Sequence, residues 1–284
     1  MRQLTFLPTR PKGCLLKWIG NKYKYAEKIT SYFPDSFQKY IEPFVGTGAV
    51  LATLAPESGV AGDTLSPLIQ IWKLLQNEPE TLVEYYASVI EKFNRNREKT
   101  YPEILRRYND SPNGLDLLII SRTCYGGVVR FTREGKISTP IGPHEPISAE
   151  SFAERAMEWQ DRVKNITFLY QSFEKTMSLA QDGDMVYCDP PYVDSQTILY
   201  GAQNFSFQKL LQSIEECKSR GAKIALSIDG KKKSGQKIID LQIPKGIFER
   251  EIYLECGSSM LKRLQSDGLK MVGEDVHERL LLTW

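Results

Sequence analysis

Residues 185–192 read Met-Val-Tyr-Cys-Asp-Pro-Pro-Tyr, an apolar run that ends in an acid, two prolines and an aromatic residue. Continuous apolar character predicts a buried strand of a parallel sheet. Pro190 and Pro191 lack N–H donors and cannot extend the ladder, so we expect the strand to end near Asp189. This places the Asp189 carboxylate, the Pro190 carbonyl and the Tyr192 ring at the carboxyl edge of a sheet, where open α/β sheets bind ligands.

The chemistry of this corner suits a planar base with an exocyclic amino group. Such a group offers two N–H donors, one for the Asp189 carboxylate and one for the Pro190 carbonyl, and Tyr192 can stack on the base. The amino nitrogen is a poor nucleophile because its lone pair is delocalised into the ring. Two acceptors on its hydrogens localise that lone pair and direct it at an electrophile. The alternative is an acid that caps a loop before a Pro-Pro turn.

The composition is that of an ordinary globular protein. The chain has 284 residues, 41% hydrophobic and 25% charged, which allows one large domain or a core domain with an insert. No apolar run reaches the roughly 18 residues of a membrane span, and the N-terminus lacks the features of a signal peptide. Five scattered cysteines and two histidines do not suggest a zinc site or disulfides. We expect a cytoplasmic protein with no bound metal.

Basic residues are clustered although the net charge is only +2. The clusters lie at residues 2–28, 92–107, 122–136 and 231–233. Such runs are usually solvated faces, but four of them in a nearly neutral chain favour contact with a polyanion such as nucleic acid.

Residues 40–63 predict a strand, a glycine turn, a helix and a second strand that ends in an acid. Gly46 and Gly48 form the turn, and Asp63 is the acid. A nucleoside-binding Rossmann half begins in this way. The third glycine of the dinucleotide fingerprint is missing, so a pyrophosphate is not specified. S-adenosyl-methionine requires only a close backbone approach and an acid for the ribose hydroxyls. A tight turn with a surface acid is the alternative.

The character of the chain changes between about residues 79 and 160. Helical spacing at 80–108 and 115–120 precedes a ribbon in which basic and aromatic residues alternate. We predict hairpin arms at 128–131 and 136–139. They would present a set of side chains to a DNA groove, namely Arg122, Tyr125, Arg130, Arg133 and Lys136. A structural hairpin that covers the cleft is the alternative.

Taken in order, these motifs resemble the Dam-type (D12 class) DNA adenine-N6 methyltransferases. The resemblance begins at Lys17-Trp18-Ile19-Gly20-Asn21-Lys22, includes residues 42–48, 125–131 and 172–173, and ends in the Asp-Pro-Pro-Tyr of residues 189–192. It implies a Rossmann-like mixed seven-stranded sheet, formed by residues 1–78 and 161–284. It also implies that residues 79–160 are an inserted, mostly helical DNA-recognition domain with a β-hairpin, in which Arg130 reads a base.

The resemblance further implies S-adenosyl-L-methionine as cofactor. Its expected contacts are Trp18, Lys22, Glu42, Phe44, Gly46, Gly48, Asp63, Ser172, Phe173 and Asp189. The implied reaction methylates N6 of an adenine flipped out of duplex DNA, in a Dam-like or restriction-modification system. We expect a monomer, and in the second setting a restriction endonuclease that acts on the same site. An RNA adenine or N4-cytosine methyltransferase and a catalytically silent DNA-binding module remain alternatives.

Overall fold

Seven strands form one mixed sheet in the computed structural model, which describes residues 8–191, 205–229, 232–234, 237–239, 243–255 and 277–284. These strands are β1 (Tyr40–Glu42), β2 (Gly59–Asp63), β3 (Ile166–Tyr170), β4 (Met185–Cys188), β5 (Lys223–Asp229), β8 (Arg250–Glu255) and β9 (His277–Leu282). Their order is β3-β2-β1-β4-β5-β9-β8, and β9 runs antiparallel to both of its neighbours. β6 (Lys232–Ser234) and β7 (Lys237–Ile239) form a separate two-stranded sheet. The predicted Rossmann-like fold is confirmed.

Helices cover both faces of the sheet. They are α1 (Ala26–Thr30), α2 (Ala49–Leu54), α3 (Ser66–Asn77), α4 (Pro79–Arg95), α5 (Arg97–Asp110), α6 (Gly114–Thr123), α7 (Ala149–Val163), α8 (Phe173–Met177) and α9 (Phe207–Ser219). Local chemistry sets several of their starts. Asn113 caps α6 by accepting the Asp116 N–H, and Ser148 caps α7 by accepting the Ser151 N–H. None of the helices in the described part of the chain has the length and apolar character that a membrane crossing needs.

Side chains of the central strands point alternately to the two faces of the sheet, and each face has its own apolar core. Tyr40 and Tyr187 pack into a cluster with side chains of α1 to α7, whereas Ile41 and Val186 pack with α8 and α9 on the opposite face. Successive residues of a strand point to opposite faces, so a short strand that is apolar throughout can fill both cores. The prediction that residues 185–188 form a buried strand is confirmed.

The predicted insert has no core of its own. Its helices α4 to α7 contribute to the same apolar cluster as the sheet. The Trp72 ring of α3 stacks on Phe168 of β3 at 5.5 Å and on Trp159 of α7 at 5.8 Å between ring centroids. The predicted boundary at residue 160 falls inside α7, so this helix spans the two predicted units.

The predicted hairpin differs from a regular ladder. The chain turns back on itself, but its pairing consists of isolated bridges at Phe131↔Ile137 and Cys124↔Ile141. Two backbone hydrogen bonds also join the arms, and side chains of α5 bind the ribbon backbone as well. Asn109 both donates to the Ile137 carbonyl and accepts its N–H, at 3.0 and 2.8 Å. Because these partners satisfy part of the ribbon backbone, it docks against α5 without forming the two strands that the sequence predicts.

Candidate active site

A cavity of about 280 Å³ opens at the carboxyl edge of the central parallel strands. Its lining includes residues that lie far apart in the sequence, among them Trp18, Lys22, Glu42, Phe44, Gly46, Asp63, Ser172, Phe173, Asp189, Pro190 and Pro191. Nine of the ten residues predicted to contact the cofactor therefore lie around one space. Gly48 is not part of the lining. Tyr192 lies outside the described residues.

The glycine turn and the acid that follows β2 are joined by hydrogen bonds. The Gly46 N–H donates to Asp63 Oδ2 at 3.1 Å, and the Leu65 N–H donates to Asp63 Oδ1 at 3.0 Å. Gly46 and Gly48 have φ of 46° and 60°, a left-handed conformation that disfavours other residues. A Cβ on Gly48 would lie 3.0 Å from the Trp72 ring. Because Gly48 has no side chain, the Trp72 ring can pack closely against the turn.

Aromatic rings form one wall of the cavity. Phe44 and Phe173 stack with centroids 5.1 Å apart, and Phe205 meets Phe44 edge-on at 6.0 Å. An apolar, flat wall of this kind suits a planar heteroaromatic ring. Sequence reasoning missed Phe205, which belongs to no motif and reaches the cavity from the segment before α9.

An ion network lies at the end of β4. The Lys22 ammonium is 2.8 Å from Asp189 Oδ1 and 3.2 Å from Glu278 Oε1, and Lys22 is only 5% exposed. Burial acts to lower the pKa of Lys22, but the two carboxylates more than offset it, so the pKa lies above its ordinary value and the side chain is charged. Sequence reasoning missed Glu278, since no local motif marks it.

Burial raises the pKa of two further ionisable groups at the cavity. Glu42 is 3% exposed and accepts a hydrogen bond from the Tyr40 hydroxyl at 2.6 Å. Burial raises the pKa of Glu42 well above its ordinary value, although the bond from Tyr40 acts in the opposite direction. Tyr187 hydrogen-bonds Ser227 at 2.9 Å, and burial likewise raises its pKa. The edge of the cavity therefore combines two acids whose pKa is raised with the charged Lys22 network.

The residues predicted to contact DNA divide into two groups. Tyr125, Arg130, Arg133 and Lys136 are exposed on the ribbon. Arg122 is 3% exposed and donates from Nη1 to the carbonyls of Cys14 and Leu15, at 3.1 and 2.7 Å. The prediction that Arg122 contacts DNA is corrected, because its side chain points from α6 into the core and anchors the segment that leads to Trp18.

Comparison with known proteins gives consistent matches. A family model described as D12 class N6 adenine-specific DNA methyltransferase matches residues 18–256. A DNA adenine methylase of Vibrio cholerae serotype O1 is 29% identical over 231 residues, which cover 77% of this chain and 82% of that protein. Type II methyltransferase M1.LlaDCHI of Lactococcus lactis is 27% identical over 229 residues, which cover 74% and 79%. A DNA N-6-adenine-methyltransferase of Escherichia phage P1 is 26% identical over 235 residues, which cover 76% and 30%. Among solved structures, the rRNA methyltransferase aviRa of Streptomyces viridochromogenes superposes with a TM-score of 0.43 at 12% identity, over 92% of this chain and 84% of that one.

Proposed function

The chain belongs to the D12 class of N6 adenine-specific DNA methyltransferases, and from this premise we propose that it methylates adenine in duplex DNA with S-adenosyl-L-methionine as methyl donor. The observation that carries the proposal is the position of the Asp189-Pro190 corner. It lines the same cavity as the Gly46 turn and the Asp63 carboxylate. A nucleophile held at the corner and a nucleoside held at the turn would therefore meet in one space.

The residues around the cavity fit this cofactor. Backbone N–H groups orient both oxygens of Asp63. A carboxylate oxygen accepts more than one hydrogen bond, so Asp63 keeps acceptor capacity for the ribose hydroxyls. The stacked Phe44 and Phe173 offer a wall for the adenine ring, next to Ser172. We assign Trp18, Lys22 and Glu42, which line the cavity beyond the turn, to the rest of the cofactor.

The chain's own task in the reaction is to hold and orient the amino group. Asp189 would accept one N6–H and the Pro190 carbonyl the other, which localises the nitrogen lone pair for attack on the methyl carbon. When bound, the cofactor supplies a sulfonium methyl whose C–S bond electrons pass to sulfur on transfer. The methylated N6 is positively charged and loses one of its two protons to water, so no residue has to act as a general base. The stacking role of Tyr192 stays a prediction.

Access to N6 requires the adenine to leave the stack, because the amino group of a paired base faces its partner strand. Flipping costs a few kcal/mol, which contacts to the phosphates and neighbouring bases must offset. The exposed side chains of Arg130, Arg133 and Lys136 are the groups that we assign to these contacts. In this proposal residues 79–160 recognise DNA, and the rest of the chain holds the cofactor.

The cellular setting is part of the same proposal. A relative named as a Type II methyltransferase favours a restriction-modification role, with an endonuclease that acts on the same site. Other relatives are named DNA adenine methylase and favour a stand-alone Dam-like role. We propose a monomer, because the duplex target and the single cavity require only one copy.

The proposal is tested with Asp189→Asn, which keeps the shape of the side chain and removes its charge. We expect transfer of labelled methyl groups to duplex DNA to fall at least about 100-fold, since the negative charge next to the positive charge that develops on N6 is lost. Binding of S-adenosyl-homocysteine should change much less. Asp161→Asn on α7 is the matched control, because this carboxylate is exposed and pairs with Lys164.

Near-normal transfer by Asp189→Asn would contradict the assigned role of the carboxylate. A wild-type chain that binds duplex DNA but transfers no methyl group would favour the catalytically silent alternative.

A further inference from the structure

Glu278 is a buried acid at the active site that no sequence motif marks. It lies near the start of β9 and is 7% exposed. β9 runs antiparallel to β5, with Glu278 opposite Asp229 at the end of that strand. The N-terminal end of an antiparallel strand lies at the carboxyl edge of its parallel neighbours. The fold thereby brings an acid from the last strand to the edge where Asp189 lies.

The Lys22 ammonium connects the two acids. Besides the two carboxylates, it donates to the Gly20 carbonyl at 3.2 Å. A buried charge is costly unless it is paired and hydrogen-bonded, so these acceptors together hold the ammonium in place. Its position matters for the proposed reaction, because the closer contact is with Asp189, the acceptor assigned to the adenine amino group.

We propose that Glu278 is a positioning residue that acts through Lys22. Glu278 accepts one of the hydrogen bonds that the Lys22 ammonium donates. Asp189 therefore keeps acceptor capacity for the adenine amino group. This inference rests on the proposed function. Without Glu278, Asp189 is the closest remaining carboxylate partner of Lys22, and the ammonium competes with N6 for it.

Charge leads to the same expectation. In the contacts of the described residues, one ammonium lies between two carboxylates at the edge of the cavity. Positive charge develops on N6 during methyl transfer, and a fixed negative charge nearby stabilises it. Neutralising Glu278 removes one of these carboxylate charges. It leaves unchanged the aromatic wall and Asp63, which lie on other parts of the fold.

The test is Glu278→Gln, which keeps the size of the side chain. We expect kcat to fall on the order of 10- to 100-fold and the KM for DNA to rise, whereas the KM for S-adenosyl-methionine stays within about twofold. Glu278→Asp retains the charge on a shorter side chain and should recover part of the loss. Titration with S-adenosyl-homocysteine should still give one binding site per chain, which separates slow catalysis from misfolding.

Glu251→Gln is the matched control. Glu251 belongs to β8 and pairs with Arg279 of β9, so this variant breaks an ion pair between neighbouring strands away from the cavity. Equal losses in Glu251→Gln and Glu278→Gln would overturn the inference, as would a kcat and DNA KM of Glu278→Gln that match wild type. A Glu278→Asp chain as slow as Glu278→Gln also counts against it.

The inference and the proposed function fail in different ways. If the wild-type chain transfers no methyl group to duplex DNA, the proposed function is wrong. If Asp189→Asn is inactive and Glu278→Gln behaves as wild type, the proposed function stands and only the role of Glu278 is wrong.

Discussion

Glu42 illustrates how a single residue is altered by its place in the fold. The sequence predicts a side chain at the cofactor, and Glu42 does line the cavity. What the sequence does not reveal is its burial beneath the Tyr40 hydroxyl. Burial raises the pKa of this acid well above its ordinary value of 4.5, so the folded chain holds a proton that the unfolded chain releases.

This proton predicts how stability depends on pH. The contribution of Glu42 is fully present below its unfolded pKa and is lost as pH rises through the folded one, because ionised Glu42 is unfavourable inside the protein. Glu42→Gln keeps a partner for Tyr40 and cannot ionise. As pH rises above the ordinary pKa of 4.5, we expect the wild-type free energy of unfolding to decline, by up to about 1.4 kcal/mol per pH unit, relative to that of Glu42→Gln. Denaturant unfolding at each pH measures it.

The exposed Glu91→Gln on α4 is the control for this measurement, since its carboxylate is in water and pairs only with the neighbouring Arg95 in the described contacts. Equal pH slopes for wild type and Glu42→Gln would show that Glu42 does not hold a proton in the folded chain.

At the scale of elements, α6 and the ribbon that follows it separate two arginines that look alike in the sequence. Arg122 lies on the last turn of α6 and points inward to two backbone carbonyls. Arg130 lies eight residues later in the ribbon and is exposed. Both were predicted DNA contacts, because a basic residue near an aromatic one is the same local pattern in either place.

Arg130→Gln and Arg122→Gln should therefore affect different properties, DNA discrimination in the first variant and stability of the fold in the second. Once sequencing of methylated DNA has identified the target, we expect Arg130→Gln to lose about 1–3 kcal/mol of discrimination between the target and a one-base variant, with unchanged melting temperature. Arg122→Gln should lose on the order of 3 kcal/mol of stability, because two hydrogen bonds from a charged donor disappear. Competition binding and thermal melting measure the two effects. If Arg130→Gln discriminates between the target and the one-base variant as well as wild type does, Arg130 does not read a base.

At the scale of the whole molecule, the sheet and the predicted insert pack as one unit. The apolar cluster runs from β3 through Trp72 to α7, and Trp72 also donates to the Gly46 carbonyl at 3.2 Å. Elements with a common core do not unfold independently, since opening one exposes apolar surface of the other. Trp72 thus contacts both the Gly46 turn and α7 of the insert.

We expect calorimetry to show one unfolding transition for the described sheet and insert together. S-adenosyl-homocysteine at about 100 times its Kd should stabilise the folded chain by about 2.7 kcal/mol and move the whole transition upward. Asp63→Ala, which removes the acceptor held by Gly46 and Leu65, should greatly reduce that shift. Two resolved transitions, of which the ligand moves only one, would contradict a single cooperative unit.

Much of the fold and of the cavity was predictable because the signals are local. The apolar run at 185–188 is long enough for one strand and is followed by prolines that end it, whatever the rest of the chain does. Parallel strands place their carboxyl ends at one edge, so Gly46, Asp63 and Asp189 could be expected to meet there. The ribbon was only partly predictable, because the backbone of Ile137 bonds to Asn109 on another element.

By itself, the sequence determined which residue types stand at the strand ends and in what order, since turn chemistry and apolar periodicity act over a few residues. Only the tertiary structure decided that Lys22 pairs with Asp189 and Glu278, and that Arg122 points into the core. These contacts join residues that lie far apart in the sequence. The Lys22 contacts depend on strand order and on the direction of β9, which no local pattern encodes.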